Sequence, residues 1–243
     1  MDKLQFHDMG DGRKIAFRHF TGDGPTLVFL PGYMSDMEGG KATTIFSKAR
    51  RSGQSCLLFD YSGCGNSNGT FEEGSLSRWR DEAVHIITQR VAGPVVLIGS
   101  SMGGWLMFLV AQKLRNRVAG LVGIAAAPDF TDWGYSEEQK IALASGRSVF
   151  AENPYGSEPT PTHSKFWTDA MQHVILDGEI NILAPVRLMH GQKDADVPWE
   201  VSLQLAEKIR TDDVRITLIK AGEHRLSSEE DLALIEHEIW SLL

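Results

Sequence analysis

The sequence predicts a doubly wound α/β fold, a mostly parallel sheet with helices on both faces. Three observations predict it. Short runs of β-branched residues and leucine, bounded by Gly and Pro, recur along the chain. Five of these runs are apolar almost throughout, as strands covered on both faces are. Helical patterns lie between several of them, so that strand, crossover and strand repeat in order. A length of 243 residues suits one large α/β domain or two small ones, and the continuous alternation favours a single domain over 1–243.

Strands are expected at residues 14–20, 26–30, 55–59, 95–99, 119–125, 186–190 and 215–220. Helices are expected at 41–50, 76–91, 102–114, 201–210 and 228–242. The last opens with Ser227-Ser228-Glu229-Glu230, where a hydroxyl can cap free N–H groups and early carboxylates suit the positive end of the helix dipole. One interval breaks the rhythm. Residues 128–184 hold Pro128, Pro154, Pro159 and Pro161, four of the nine prolines, with the exposed-looking aromatics Trp133, Tyr135, Tyr155, Phe166 and Trp167. A connection that long is expected to be a cap inserted over the ligand site, the alternative being an elaboration that touches no substrate. In a doubly wound sheet that site lies at the carboxyl ends of the strands.

Composition removes several function classes. Acidic residues number 32 and basic ones 24, a formal charge of −8, and no Lys/Arg cluster is present to displace the counterions of a nucleic acid. The longest apolar stretches, such as residues 105–111, fall far short of the ~20 needed to span a bilayer. Cys56 and Cys64 are too few for a disulfide framework or a zinc site. The opening Met1-Asp2-Lys3-Leu4-Gln5-Phe6 carries an early acid and neither an apolar nor an Arg-rich leader, so the expected location is cytoplasmic.

The sharpest motif is Gly99-Ser100-Ser101-Met102-Gly103, a G-x-S-x-G set between an apolar strand and an apolar-faced helix. Its spacing selects Ser101 as nucleophile, presented on a strained turn with the Met102 N–H beside it to meet an oxyanion. A serine hydroxyl is a weak nucleophile at neutral pH and needs a base, itself oriented by an acid. In this fold the order is serine, acid, histidine. After the strand at 186–190 comes His190-Gly191-Gln192-Lys193-Asp194-Ala195-Asp196-Val197-Pro198, which supplies Asp194 as the acid. After the strand at 215–220 comes Ala221-Gly222-Glu223-His224-Arg225, which supplies His224 as the base.

Rivals exist for these roles. Asp196 lies two residues beyond Asp194, and Asp129 follows the strand at 119–125. Asp60 precedes the serine, breaks the required order and is expected to hold loop N–H groups instead. Cys64, in the same loop, is read as a small filler rather than a reactive thiol. Among the eight histidines, His85 and His237 fall inside expected helices, and His190 at a strand end is read as structural.

Four segments carry a resemblance: Phe29-Leu30-Pro31-Gly32-Tyr33-Met34, residues 59–67 (Phe-Asp-Tyr-Ser-Gly-Cys-Gly-Asn-Ser), Gly99 through Met107, and His190-Gly191 through Val197-Pro198-Trp199. The chain resembles the α/β-hydrolase superfamily over nearly its whole length, and within it a branch of palmitoyl-protein thioesterases that also hydrolyse acyl glucuronides. The resemblance implies Ser101, Asp194 and His224 as nucleophile, acid and base. It also implies an oxyanion hole made by the backbone N–H groups of Tyr33 and Met102. Pro31-Gly32 replaces the His-Gly usual at that strand end, and Gly32 still turns the backbone so that the Tyr33 N–H is available.

The activity expected is hydrolysis of carboxylic esters or thioesters through an acyl-enzyme, with no cofactor and no metal. The partners expected are a small-molecule or acylated substrate, with neither nucleic acid nor stable membrane insertion. A small-ester or lipid carboxylesterase is the enzymatic alternative, and an inactive hydrolase fold acting as a binding protein is the alternative from another class.

Overall fold

The computed structural model of the protein describes residues 3–153 and 156–243. The chain opens with β1 (Gln5–Asp8), β2 (Lys14–Phe20) and β3 (Asp23–Leu30), then alternates through α1 (Gly40–Ser52), β4 (Gln54–Phe59), α2 (Leu76–Arg90), β5 (Val95–Ser100), α3 (Met102–Leu114) and β6 (Val118–Ile124). Short elements follow: α4 (Phe130–Trp133), α5 (Glu137–Ala144), β7 (Val149–Ala151), β8 (Thr160–Thr162) and α6 (Ser164–Ala170). The alternation resumes with β9 (Val186–Gly191), α7 (Glu200–Lys208), β10 (Val214–Ile219) and α8 (Glu229–Trp240).

Eight strands form one sheet in the order β1-β2-β4-β3-β5-β6-β9-β10. β2 runs antiparallel to both β1 and β4, and every other pairing is parallel. Period-two alternation sends successive side chains to opposite faces. Val28, Leu30, Val95 and Leu97 join one buried cluster with residues of α2, α3 and α7. Leu27, Phe29, Val96 and Ile98 join the other, with residues of α1 and α8. Both faces are therefore dry, which is why the central strands read as unbroken apolar runs. The N-terminal strand β1 was not expected. Its four residues include no buried position, so no hydrophobic alternation marks it, and it forms by pairing with β2 at the sheet edge.

Helix ends follow local chemistry. α2 begins where the Ser75 hydroxyl accepts from the Arg78 N–H, and α8 where Ser228 and Asp231 exchange side-chain and backbone bonds. α1 ends at Gly53, whose φ of 73° closes the last turn in the left-handed region.

The segment from 128 to 184 is less exposed than its composition suggests. Phe166 is buried, while Trp133, Tyr135 and Trp167 are half-buried. The indole N–H of Trp133 donates to Pro128 O (2.9 Å) and that of Trp167 to Thr131 O (2.9 Å), so each ring turns inward with its polar group satisfied. Pro154 and Tyr155 lie outside the described residues. Asp129 ties the two ends of this segment together. Its carboxylate accepts the N–H groups of Ile175 (3.0 Å to each oxygen) and Leu176 (2.8 Å).

Burial pushes the Asp129 carboxyl up from 3.8 to about 6, against the pull of those two N–H donors. Between those values the folded chain keeps a proton that the unfolded chain has lost, so this group makes stability fall as pH rises through that window and leaves it flat above. Asp129→Asn, which cannot ionise, is expected to remove this slope. Urea unfolding at a series of pH values checks it.

Candidate active site

Three residues at the carboxyl edge of the sheet form one hydrogen-bonded line. Ser101 follows β5, Asp194 follows β9, and His224 lies beyond β10. The His224 Nδ1 stands 2.8 Å from Asp194 Oδ2, and its Nε2 stands 3.1 Å from Ser101 Oγ. A carboxylate only accepts, so in the neutral imidazole Nδ1 carries the proton and Nε2 is left to accept from the serine hydroxyl. The structure thus brings together the three residues singled out as nucleophile, acid and base.

Ser101 has φ 55° and ψ −123°, a conformation that costs a non-glycine residue of order 1–3 kcal/mol. Its neighbours explain how the turn closes. A Cβ on Gly99 would overlap the Gly103 carbonyl, and a Cβ on Gly103 would overlap the carbonyl oxygens of Leu30 and Pro31. Only glycine at these two positions lets β5, α3 and the exit of β3 meet backbone to backbone.

The two expected oxyanion donors flank the serine. Met102 is the first residue of α3, where an N–H has no partner within the helix. On the other side, a Cβ at Gly32 would lie 3.3 Å from the Ser101 Cβ, so the Gly32-Tyr33 turn abuts the nucleophile. That turn is closed by the Ser35 N–H donating to Gly32 O (3.1 Å), which leaves the Tyr33 N–H outside the bond. The Tyr33 ring packs on Phe71 (5.0 Å between centroids) and Phe166 (4.9 Å), and its hydroxyl donates to Pro161 O (3.0 Å). Burial pushes this phenol well above its usual range and keeps it neutral.

The Asp194 side chain is fully buried and saturated with donors. Oδ1 accepts the N–H groups of Asp196 (2.9 Å) and Val197 (2.8 Å), while Oδ2 accepts from His224 and from a second imidazole, His190 Nε2, at 3.1 Å. Burial alone would raise its pKa. The hydrogen bonds from His190, His224 and Val197 outweigh that and hold the carboxyl far below the ordinary range. The structural role expected of His190 does not include its bond to Asp194. The available signal was the four-residue spacing between His190 and Asp194 at the end of one strand.

The rival acids stand elsewhere or do other work. Asp129 is occupied by the backbone of residues 175 and 176. Asp60 accepts from Met37 N–H (2.7 Å) and Asn66 N–H (2.7 Å), the loop-holding role expected of it. Asp196 is exposed, and one of its oxygens groups with ligand atoms of Asp194 and His224, all within 4.8 Å of one another. Cys64 is buried, which pushes its thiol up to about 12 and leaves little thiolate. Lys41, at the start of α1, donates to the Arg225 carbonyl and so braces the loop that carries His224. Burial lowers this amine to about 8.

Known proteins share this architecture. A model of the alpha/beta hydrolase family matches residues 27–234, and the chain belongs to that family. The mitochondrial palmitoyl-protein thioesterase of Homo sapiens is 34% identical over 246 residues, covering 99% of this chain and 80% of that protein. The solved structure of mouse alpha/beta hydrolase domain-containing protein 10 is 33% identical, with a TM-score of 0.92 over 99% of this chain and 98% of that one. A monoacylglycerol lipase of Paleococcus ferrophilus, 20% identical, shares the fold with a TM-score of 0.78 over 94% of this chain and 99% of its own.

The expected cytoplasmic location is corrected by these relatives, since the thioesterases of human, cattle and mouse are all named as mitochondrial. That expectation rested on two unpaired thiols and on the first few residues. Reduced thiols do not distinguish one reducing compartment from another, Met1 and Asp2 lie outside the described residues, and where a sequence begins carries no address. Among the described residues no helix is long and apolar enough to cross a membrane.

Gly103→Ala tests the packing of the turn. It is expected to cost at least about 2 kcal/mol, a Tm drop of ~4–8 °C for a chain this size, because backbone oxygens offer the new methyl no room. Calorimetry of the parent and the variant checks it.

Proposed function

We propose that this chain is a serine-dependent hydrolase of thioesters and esters, working through an acyl-enzyme on Ser101. The observation that carries the reading is the line from Ser101 through His224 to Asp194, set at a strained turn between β5 and α3. In the first half, Ser101 Oγ attacks the substrate carbonyl carbon as His224 Nε2 takes its proton. The tetrahedral oxyanion is met by the N–H groups of Tyr33 and Met102. His224 returns the proton to the departing thiol or alcohol as the carbonyl re-forms. In the second half, water gives a proton to His224 and attacks the Ser101 ester. Collapse releases the acid, and the proton goes back to Ser101.

Asp194 holds the imidazole in the tautomer this sequence needs and stabilises the imidazolium in between. Its buried charge suits the second task. No metal or organic cofactor takes part in these steps.

The substrate class we propose is a long-chain acyl thioester, such as a fatty-acylated cysteine, with acyl esters as the broader class. The relatives named palmitoyl-protein thioesterases, matched over nearly all of this chain, support it. Residues 128–184 are proposed as a cap within a single domain. The hydrogen bond from Tyr33 to Pro161 and the packing of Tyr33 on Phe166 join this segment to the turn beside the nucleophile.

Ser101→Ala is expected to abolish labelling by a fluorophosphonate probe and to lower kcat by about 10⁴-fold or more. Unchanged labelling would assign the nucleophile to another serine, and absent labelling in the folded parent would favour a binding protein. A panel of S-palmitoyl and short-chain thioesters with matched oxygen esters is expected to show the highest kcat/KM on the long-chain thioester, whereas preference for a short oxygen ester would favour a carboxylesterase. His224 must be unprotonated to accept from Ser101, so activity is expected to fall towards acid pH. A flat profile from pH ~5 to ~8 would remove His224 from the role.

A further inference from the structure

His190 is fully buried and makes three polar contacts. Its Nε2 lies 3.1 Å from Asp194 Oδ2 and 3.1 Å from Val197 O, and its Nδ1 lies 2.8 Å from the hydroxyl of Ser202 in α7. Carboxylate and carbonyl oxygens only accept, so Nε2 carries a proton shared between them. In the neutral ring Nδ1 then accepts from the Ser202 hydroxyl, a bond that supports the tautomer imposed by the two acceptors at Nε2. His190 itself is fixed by β9, where it pairs in register with Leu218 of β10. Asp194, by contrast, is carried on the loop that follows. Oδ1 is held by N–H groups of its own loop, whereas Oδ2, the oxygen facing His224, meets a donor anchored in the sheet.

We propose that His190 is a positioning residue for the hydrolysis assigned above to Ser101, His224 and Asp194, with Ser202 supporting its tautomer. Its Nε2–H fixes the direction of the Asp194 oxygen that receives His224, and it draws negative charge from that oxygen. The inference rests on the proposed roles of those three residues. Two consequences follow from sharing one oxygen between two imidazoles. The base is held at a set angle to the nucleophile, and the carboxylate grips a protonated His224 less tightly than it would with a single partner, so the base sheds its proton more readily.

Charged groups on the elements that carry this line include Lys193 and Asp196 on the Asp194 loop, Glu200 in α7 with Ser202, Glu223 and Arg225 next to His224 in the chain, and Lys41 of α1 bonded to the Arg225 carbonyl. A change at His190 leaves all of them in place.

The test uses the full chain, p-nitrophenyl butyrate as probe substrate and the pH dependence of kcat/KM. His190→Leu removes the donor and is expected to lower kcat about 10- to 100-fold with KM within about 2-fold, as a small misplacement of the base would. Its acidic limb is expected to move to higher pH by about half a unit or more, because the relieved carboxylate holds the imidazolium more tightly. His190→Gln returns an amide N–H near the Nε2 position and is expected to restore the parental limb. Ser202→Ala, the variant to rely on if His190→Leu does not fold, is expected to shift the limb the same way by a smaller amount.

A slackened Asp194 without charge withdrawal would move the limb to lower pH. That result, an unmoved limb in His190→Leu, or His190→Gln behaving as His190→Leu would each overturn the proposal, as would an unmoved limb in Ser202→Ala where that variant stands alone. Asp194→Asn separates the two levels. If it keeps parental kcat, the assignment of the three residues fails; if it is disabled while the His190 and Ser202 variants leave the limb in place, only the role of His190 fails.

Discussion

The structure depends first on the turn at Ser101, where β5 must end and α3 begin within a single residue. The backbone there pays for its left-handed conformation with bonds on several sides. Ser101 N–H donates to Ile124 O (2.9 Å), and its carbonyl accepts from Gly104 N–H (2.8 Å) and Ala127 N–H (3.0 Å). The serine is therefore pinned to β6 and its exit as well as to its own helix. Because β5 lies between β3 and β6 in the sheet, the same pinning brings the Gly32-Tyr33 turn against one side of the hydroxyl. Side-chain direction at Ser101 is thus a property of three strands. Glycine at 99 and 103 is the condition that lets them approach.

A second constraint is the buried charge of Asp194. An ionised carboxylate out of water is costly unless its lone pairs are filled, and this one receives two backbone N–H groups and two imidazole N–H groups. That many donors favour the charged form strongly enough to overcome burial. Asp60 and Asp129 show the contrast. Each is buried and held by backbone N–H groups alone, and in each burial prevails and raises the carboxyl. Three aspartates with buried side chains follow strands of the sheet, and only in the one with imidazole partners do the hydrogen bonds outweigh burial.

Much of this was legible in the sequence, for identifiable reasons. The central strands announce themselves because both their faces are dry, and the turn at Ser101 because its chemistry tolerates few residues on either side. Asp194 and His224 were readable from their places after the last two large-sheet strands in a fixed chain order. β1 was not legible, since an exposed edge strand needs no apolar pattern and gains its form from a neighbour. The short elements from α4 to α6 carry no periodic pattern long enough to separate them within residues 128–184. Their aromatics looked exposed because a sequence does not reveal that Trp133 and Trp167 find carbonyl partners inside the same segment. His190 escaped for a similar reason: a histidine ending an apolar strand has the same appearance whether it fills space or reaches a carboxylate on the next loop.

Tyr33 shows how the two halves of the molecule become coupled. Its backbone N–H belongs to the proposed oxyanion pair, while its side chain belongs to an aromatic group drawn from several elements: Phe71 before α2, Trp79 of α2, Phe130 of α4 and Phe166 of α6. The hydroxyl closes the arrangement on Pro161 in β8. A residue fixed at both ends cannot adjust one without the other. Movement of the proposed cap would be felt at the Tyr33 ring and transmitted through its Cα to the turn that abuts Ser101. Since an oxyanion donor loses effect steeply with distance and angle, the position of residues 128–184 and the readiness of the site for acyl transfer become one structural variable rather than two.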